Sequence, residues 1–425
     1  MEYVVLILIV LFVILNVPIG FALVLTAMAA MVFRGFDLLT VPLRMFNGAD
    51  NFPLVAIPLF VLTGNLMNSA GISERLINLA SALVGFIRGG LAMVTVVTSM
   101  FFAEISGSAV ADVAALGSIL IPAMRKKGYP LNFAAALTSA AATIAIIIPP
   151  SIPMIIYAVM AETSIARMFM AGVIPGVIAG FSMMGLSYYF ARKRNWPVEE
   201  AFALAKVWKT FKAAVWTLLI PVVIIGGIFG GVFTATESAG VAVVTSLFIG
   251  FVIHRQLRLR DLPEIFLEAA VQTAIVMLIV AGSALLGWYL TTEMVPQRIA
   301  AGILAFTHNK LLILMFMNIF FLFAGMFLHS AAAIIMIVPI VMPLVRQVGI
   351  DPVHFGLIVT INLGIGQQTP PVASVLLTTC SIAGISVAEI MKMTIYFIFL
   401  ALAVLILVTY VPAVSLFLPR LLMGS

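Results

Sequence analysis

Two proline doublets, Pro149-Pro150 and Pro370-Pro371, interrupt two of the longest apolar runs in the chain. Proline has no amide proton and its ring clashes with the preceding turn, so each doublet leaves main-chain carbonyls without a helical partner. Little water is at hand to take them up. Of 425 residues, 64% are hydrophobic and 9% charged, with a mean hydropathy of +1.24, whereas an ordinary soluble domain carries about 25% charged residues. Lipid is therefore the main solvent, and carbonyls freed at that depth persist only when packed in protein or lining a wet cavity.

A bilayer core about 30 Å thick is crossed by about 20 apolar residues in a helix. Runs of that kind are Val4–Val32, Phe52–Ala70, Phe133–Met160, Met168–Phe190, Trp216–Phe233, Ser238–Ile253, Phe266–Leu290, Phe355–Ile385 and Met393–Leu418. The first reads as one membrane helix, because Met1-Glu2 gives no positively charged leader and the run is too long for one. Two further stretches, Leu91–Ala123 and Leu311–Val345, are interrupted halfway by Glu104-Ile105-Ser106-Gly107-Ser108 and by Gly325-Met326-Phe327-Leu328-His329-Ser330. Each half is too short to cross, so each stretch reads as a re-entrant hairpin with a polar tip.

Placing Arg125-Lys126-Lys127 in the cytoplasm and alternating sides at every span puts most of the 22 basic residues inside, as membrane proteins require. Val198–Ala214 then reads as a basic amphipathic helix on the inner surface, with Lys206, Lys209 and Trp208 at the headgroups.

Shifted by 221 residues, the chain repeats itself: Pro122 falls on Pro343, Arg125 on Arg346, Gly128 on Gly349, Ile144 on Ile365, and one proline doublet on the other. Ser108 falls on His329, and Glu74–Arg88 on Val295–Asn309. An odd number of crossings separates the loops at Arg125 and Arg346, so the copies have opposite orientation. The expected fold is an all-α polytopic membrane protein, an inverted repeat with two hairpins and two Pro-Pro-broken helices. Its divisions are an N-terminal scaffold helix (1–51), repeat 1 (52–190, hairpin 91–123, broken helix 133–160), a cytoplasmic linker with scaffold helices (191–265), and repeat 2 (266–418, hairpin 311–345, broken helix 355–385).

The chemistry gathers where tip meets break. In a first site, Ser106, Gly107 and Ser108 join Ile148, Pro150 and Ser151, so that carbonyls and hydroxyls make a hard oxygen cage for a small alkali cation. Asp112, one turn past the tip, serves better as a cap than as a ligand. Glu104 could snorkel, pair with a base or take a proton. In a second site, Gly325, His329 and Ser330 join Gly366, Gln367, Gln368, Thr369 and Val372. Two amides in an apolar span are costly unless used, so Gln367 and Gln368 bind polar groups of an anion or line a wet path. Ser108, Ser151, His329 and Ser330 are the other candidate substrate contacts.

Other classes are excluded. Cys380 is the sole cysteine and there are four histidines, which leaves no disulfide framework and argues against a multi-histidine metal site. The net charge of +6 has no polar domain to carry nucleic acid. No phosphate-cradling Gly-xxxx-Gly-Lys-Ser/Thr loop occurs, so energy comes from a gradient. Two Na⁺ entering down about 100 mV and a tenfold concentration ratio release roughly 7 kcal/mol, enough for steep accumulation of a monovalent anion.

These residues resemble the large membrane subunit of the tripartite ATP-independent periplasmic (TRAP) transporters over essentially the whole chain. The matching stretches are Glu104–Ala123, Pro149–Tyr157, Ala171–Gly176, Phe233–Ala239, Gly349–Gly356 and the Gly366/Thr369-Pro370-Pro371 break. The resemblance implies a multi-pass subunit of a bacterial or archaeal inner membrane, a Na⁺-coupled elevator importing a small organic anion of the carboxylate, sialic acid or sulfonate class. It further implies a small four-helix membrane subunit and a periplasmic substrate-binding protein as partners, no organic cofactor, and no enzyme activity. Sodium would sit around Ser106, Ser108 and Pro150, and around Gly325, Gly366 and Thr369. The chain departs from the family at His329, commonly acidic there, at Ala145 and Ala373, commonly glycine, and at the Gln367-Gln368 pair. The rival readings are a stand-alone sodium/carboxylate symporter, an intramembrane enzyme, for which no nucleophile–base pair is evident, and a scaffold subunit without a site of its own.

Overall fold

The structure, a computed structural model, describes residues 5, 7–9, 11, 12, 15, 17–106, 108–199 and 201–424, with the backbone alone at 104–106. The chain forms α1 (Ile19–Arg34), α2 (Thr40–Ala49), α3 (Ala56–Ser69, led by a 3-10 turn Phe52–Val55), α4 (Ile72–Val84), α5 (Gly90–Ser106), α6 (Ala109–Asp112) and, after a π-turn at Val113–Gly117, α7 (Ser118–Lys126). Then come α8 (Leu131–Ala142, ending in a 3-10 turn Thr143–Ile146), α9 (Ile152–Met160), α10 (Ile165–Lys193), α11 (Leu204–Phe229), α12 (Ala235–Phe248) and α13 (Leu262–Thr292). The remainder is α14 (Val295–Phe306), α15 (Lys310–Phe327), α16 (Ser330–Gln347), α17 (Pro352–Gly366), α18 (Ser374–Ala383), α19 (Val387–Tyr410) and α20 (Ala413–Met423). Among the described residues, eight helices are long and apolar enough to cross a membrane.

Three stretches fold differently from the expectation. Val4–Val32 is not one helix: Pro18 stands in an extended conformation and α1 begins behind it, because a proline cannot continue the hydrogen-bond ladder of a preceding turn. Positions 4, 6, 10, 13, 14 and 16 of that run lie outside the described residues. Met393–Leu418 is likewise divided, α19 ending at Tyr410 and α20 starting after Pro412. Val198–Ala214 is not a separate surface helix. Trp196-Pro197-Val198-Glu199 folds back on the first hairpin's entry, Glu199 donating its amide to the Gly85 carbonyl (3.1 Å) and Trp196 lying 4.4 Å from Phe133 and 4.6 Å from Tyr129, centroid to centroid. The helix starts at Leu204 and runs unbroken into the span, with Lys212 5.1 Å over the Trp208 ring at its polar end.

The internal repeat survives folding nearly residue for residue. Shifting α5 and the α6–α7 arm by 221 residues lands on α15 and α16, and the same shift takes the start of α8 to the start of α17. α4 falls on α14 in the same way. The repeats also exchange partners: α9 packs on α16, the second arm of the other hairpin, and α18 packs on the α6–α7 arm of the first.

The two broken helices run antiparallel. The Tyr157 hydroxyl in α9 donates to the Pro352 carbonyl at the start of α17 (2.7 Å). Further along α17, a Cβ on Gly364 would stand 3.8 Å from Thr143, and beyond the break Leu376 and Cys380 share a cluster with Phe133 and Ile144. Thus the partners recede along the first broken helix as the second advances. At its far end the Ala161 carbonyl accepts from the Arg346 guanidinium (2.9 Å), which places the exit of the second hairpin there. Both inner halves are buried on every side, as the centre of a bundle demands: Phe133–Ala142 and Val353–Gly366 are buried throughout.

Candidate functional site

Part of the second residue set lies close together in space. Gly325, near the end of α15, meets Gly366, at the end of α17, so closely that a Cβ on Gly366 would come 2.4 Å from the Gly325 carbonyl carbon. Only two glycines allow that approach. Beyond the break, Val372 donates its amide to the Met326 carbonyl (3.2 Å), tying hairpin to unwound segment. The Thr369 hydroxyl donates to the Ile365 carbonyl (2.9 Å), which leaves its lone pairs free to accept. The Gln367 carbonyl accepts from Val375 (3.2 Å), folding α18 back against the helix end across the cis Pro370-Pro371 bond.

Both glutamines are buried. Gln368 Nε2 donates to Thr143 Oγ1 of the other repeat (2.8 Å), while Gln368 Oε1 and Gln367 Nε2 are buried without a partner among the described residues. Of the other substrate candidates, Ser330 is buried at the start of α16 and His329 is exposed at the tip in front of it.

At the first break, Ile147 and Ile148 both donate to the Ile144 carbonyl (2.9 Å each), and Ser151 Oγ donates to the Ile146 carbonyl (2.8 Å) with its side chain fully buried. The Ile147 carbonyl is covered by α10, where a Cβ on Gly172 would lie 2.2 Å from its oxygen. The break's remaining oxygens include that of Ile148, ahead of the cis Pro149-Pro150 bond. The Ser106 side chain and all of Gly107 lie outside the described residues. Ser108 is half-buried and extended in front of α6, and Asp112 is fully buried one turn on. Ala109 and Val113 of this arm cluster with Ala142 and Ile146 of the first break and with Val375 of the second. The first hairpin's tip end therefore lies against both breaks.

Chemically, the centre offers neutral oxygens, amides and hydroxyls. No group of three or more His, Cys, Asp or Glu side chains capable of holding a metal occurs among the described residues; the oxygens at the breaks are carbonyls and hydroxyls, the donor type that suits hard ions.

Sequence reasoning missed three polar ties. Thr143 was not singled out, though it stands one turn before the first break. Asn362 Nδ2 donates to Asn318 Oδ1 (2.7 Å) and Asn318 Nδ2 to Thr409 Oγ1 (3.1 Å), joining α17, α15 and α19 in the apolar interior. Ser283 of α13 donates to the Ile335 carbonyl of the second hairpin (2.7 Å); Pro339, four residues on, has no amide to use that carbonyl, a signal that was present in the sequence. Gly176 and Gly180 of α10 pack closely, on Ile148 and on Met100.

Residues 5–414 match the family described as "Tripartite ATP-independent periplasmic transporter, DctM component". An isethionate TRAP transporter permease protein, DctMQ of Oleidesulfovibrio alaskensis, is 41% identical over 412 residues, covering 96% of this chain and 64% of its own length. The chain thus spans just under two thirds of that relative. The C4-dicarboxylate TRAP transporter large permease protein DctM of Pseudomonas aeruginosa is 39% identical over 394 residues, 93% of this chain and 92% of its own. The sialic acid TRAP transporter large permease protein SiaM of Vibrio cholerae is 39% identical over 410 residues, 96% of each. The solved structure of the YdaH transporter of Alcanivorax borkumensis aligns with a TM-score of 0.58 over 84% of this chain and 86% of that one, at 13% identity, a likeness of fold alone.

Proposed function

Because the chain belongs to the DctM component family, the large permease subunits of the tripartite ATP-independent periplasmic transporters, we propose that it carries a small organic anion inward across a bacterial or archaeal cytoplasmic membrane, driven by Na⁺. One observation carries the reading: each repeat offers main-chain oxygens at an unwound break, and the Val372–Met326 hydrogen bond with the Gly325–Gly366 contact holds one break against a hairpin tip.

The residues divide by chemistry. Ser106, Gly107, Ser108, Ile148 and Pro150 supply the first cation site, and Gly325, Gly366, Thr369 and Val372 the second. Carbonyl dipoles and hydroxyl lone pairs replace the hydration shell of a small cation without a second full charge having to be buried. Ser108, Ser151, His329, Ser330, Gln367 and Gln368 are the candidate contacts for an anion lying between tips and breaks. Amide and hydroxyl donors pair with carboxylate or sulfonate oxygens, and nearby cations offset the anion's charge. Transport proceeds by an elevator movement of the hairpins and broken helices against the framework of α1, α2, α3, α11, α12 and α13.

The relatives' names include a fused permease, DctMQ, which supports a separate small membrane subunit as partner here, and "periplasmic" in the family description supports a substrate-binding protein that delivers the anion. The relatives' substrates are isethionate, C4-dicarboxylates and sialic acid, so the shared chemistry is an oxyanion on a small polar skeleton.

The test is uptake in proteoliposomes containing this chain and its small subunit, with the cognate binding protein outside. Uptake that requires the Na⁺ gradient and carries net positive charge inward supports the proposal. Equal uptake with K⁺ in place of Na⁺ overturns the coupling, and uptake without the binding protein favours a stand-alone symporter.

A further inference from the structure

The hydrogen bond between Gln368 and Thr143 joins elements that belong to separate breaks. Thr143 opens the 3-10 turn Thr143–Ile146 leading into the first break, and Gln368 immediately precedes Thr369 in the second. Both side chains are buried, at 1% exposure for Gln368 and 5% for Thr143. Among the described residues no other side-chain pair hydrogen-bonds one break to the other. The geometry also fixes which amide atom faces which neighbour. Thr143 has one hydroxyl proton and donates it to the Ala140 carbonyl (2.7 Å), so it meets Gln368 as an acceptor and the amide nitrogen must face it.

We propose that Gln368 is a positioning residue that couples the two cation sites, so that Na⁺ binding at one break raises the affinity of the other through the Gln368–Thr143 bond. The inference rests on the Na⁺ reading above and deepens it. Gathering oxygens around a cation at the first break moves the residues that follow the Thr143–Ile146 turn, and the turn's first side chain moves with them. Neither partner of the bond can turn to water, since both are buried, so displacing one leaves two unpaired polar groups. That strain enters the second site directly. Gln368 donates its main-chain amide to Ile365 (3.1 Å) and Thr369 donates its own to Gly366 (2.9 Å), so the backbone that carries Gln368 is the backbone of the second ligand set. Coupling of this kind acts equally in both directions.

This role differs from contact with the substrate, and the difference is measurable without substrate. The chain reconstituted in nanodiscs is titrated with ²²Na⁺ at constant ionic strength, K⁺ making up the balance, and bound Na⁺ is followed at equilibrium. The wild-type curve is expected to be sigmoidal in Na⁺. Gln368→Met and Thr143→Val, both close in volume to the residues they replace, should each raise the half-saturating Na⁺ concentration about fivefold or more and flatten the curve to a single-site hyperbola. The double variant should go no further than either single one, and Thr143→Ser, which keeps the hydroxyl, should retain the wild-type curve. Unfolding in K⁺ alone reports whether each variant has folded. A sigmoidal wild-type curve that both variants reproduce, single effects that add in the double variant, or a hyperbolic wild-type curve each overturn the coupling while leaving Na⁺ binding standing. No saturable, Na⁺-specific binding in the wild type overturns the cation reading, and the coupling with it.

Discussion

Gly366 packs against Gly325 backbone to backbone, with 2.4 Å between the Gly325 carbonyl carbon and the place where a Cβ on Gly366 would stand. Such a distance is below any real carbon–carbon contact, and the clashing atom belongs to the main chain, which cannot swing aside. Gly366→Ala must therefore push the first arm of the second hairpin away from the broken helix and open the candidate cation site. Gly325→Ala is milder, since its nearest neighbour, the Leu363 Cα, lies 3.1 Å away. The expected order of damage is Gly366→Ala well above Gly325→Ala, with about 1 to 3 kcal/mol of lost stability for the former, the range of an overpacked core. Thermal unfolding of the two purified variants checks the order, and equal midpoints would contradict the backbone contact.

The Asn318–Asn362 pair behaves differently, because Asn318 finds its partners in Asn362 and Thr409, while Asn362 also donates to the Ile358 carbonyl one turn back (2.7 Å). Asn362→Leu removes one partner and leaves buried polar atoms of Asn318 unsatisfied, at a cost of about 1 to 3 kcal/mol. Removing both amides, as in Asn318→Leu with Asn362→Leu, takes away the orphan as well. The double variant is expected to be no less stable than Asn362→Leu alone, and a thermal double-mutant cycle with strictly additive losses would argue against the pairing.

Ala373 follows the second doublet in a left-handed conformation, φ 45° and ψ 59°, where a side-chain Cβ costs about 1 to 2 kcal/mol. Glycine adopts the same conformation freely, though it gives back part of the gain by loosening the unfolded chain. Ala373→Gly should raise the unfolding midpoint by an amount corresponding to about 1 kcal/mol or less. A lowered midpoint would show that the Cβ packs better than its backbone sits.

The positions that sequence reading found and those it missed differ in range. Proline doublets, glycines at fixed spacing and polar tips act on their own neighbours, so the hairpins, the breaks and the Gly325–Gly366 pairing are legible in the sequence. Pro18 and Pro412 carry the same local signal, yet Val4–Val32 and Met393–Leu418 were read whole because hydropathy averages over a breaker. Thr143, Asn318 and Asn362 were a different case. A threonine or asparagine in an apolar run announces that it needs a partner, but the partner lies 225, 44 or 91 residues away, and periodicity within one helix carries no information about which helix it will face. Ser151 shows the converse: its hydroxyl is used within its own break, on Ile146.

His254, just past the end of the Ala235–Ile253 span, has its imidazole pKa pushed below the ordinary value of 6.5, first by burial and then by the nearby Arg75 charge. In the unfolded chain the ring takes up a proton as pH falls through about 6.5, while in the folded chain it resists until lower pH. The unfolded state thus binds more protons in that window, so this group's contribution to stability is complete at neutral pH and is lost as pH falls below the unfolded value. His254→Gln should flatten the fall in unfolding midpoint between pH 7 and pH 5. A variant with the wild-type slope would place the acid sensitivity elsewhere.

The opposed orientation of the repeats yields the sharpest topological expectation. Lys126 and Gln347 occupy equivalent repeat positions and both are exposed, each at the last residue of a hairpin's second arm. The first broken helix leaves the Lys126 end at Leu131 and finishes where Arg346 caps the Ala161 carbonyl, and the Tyr157–Pro352 hydrogen bond seats the start of α17 at that same far end. Two equivalent residues therefore stand at opposite ends of one membrane-crossing element. The native cysteine, Cys380, is buried, so Cys380→Ser provides a silent background. In that background Lys126→Cys should react with a membrane-impermeant maleimide only from the cytoplasmic side, as the basic loop there requires, and Gln347→Cys only from outside. Labelling of both from one compartment would mean that the broken helix turns back at Pro149-Pro150 rather than crossing, and the antiparallel pairing could not then place one cation site in each repeat.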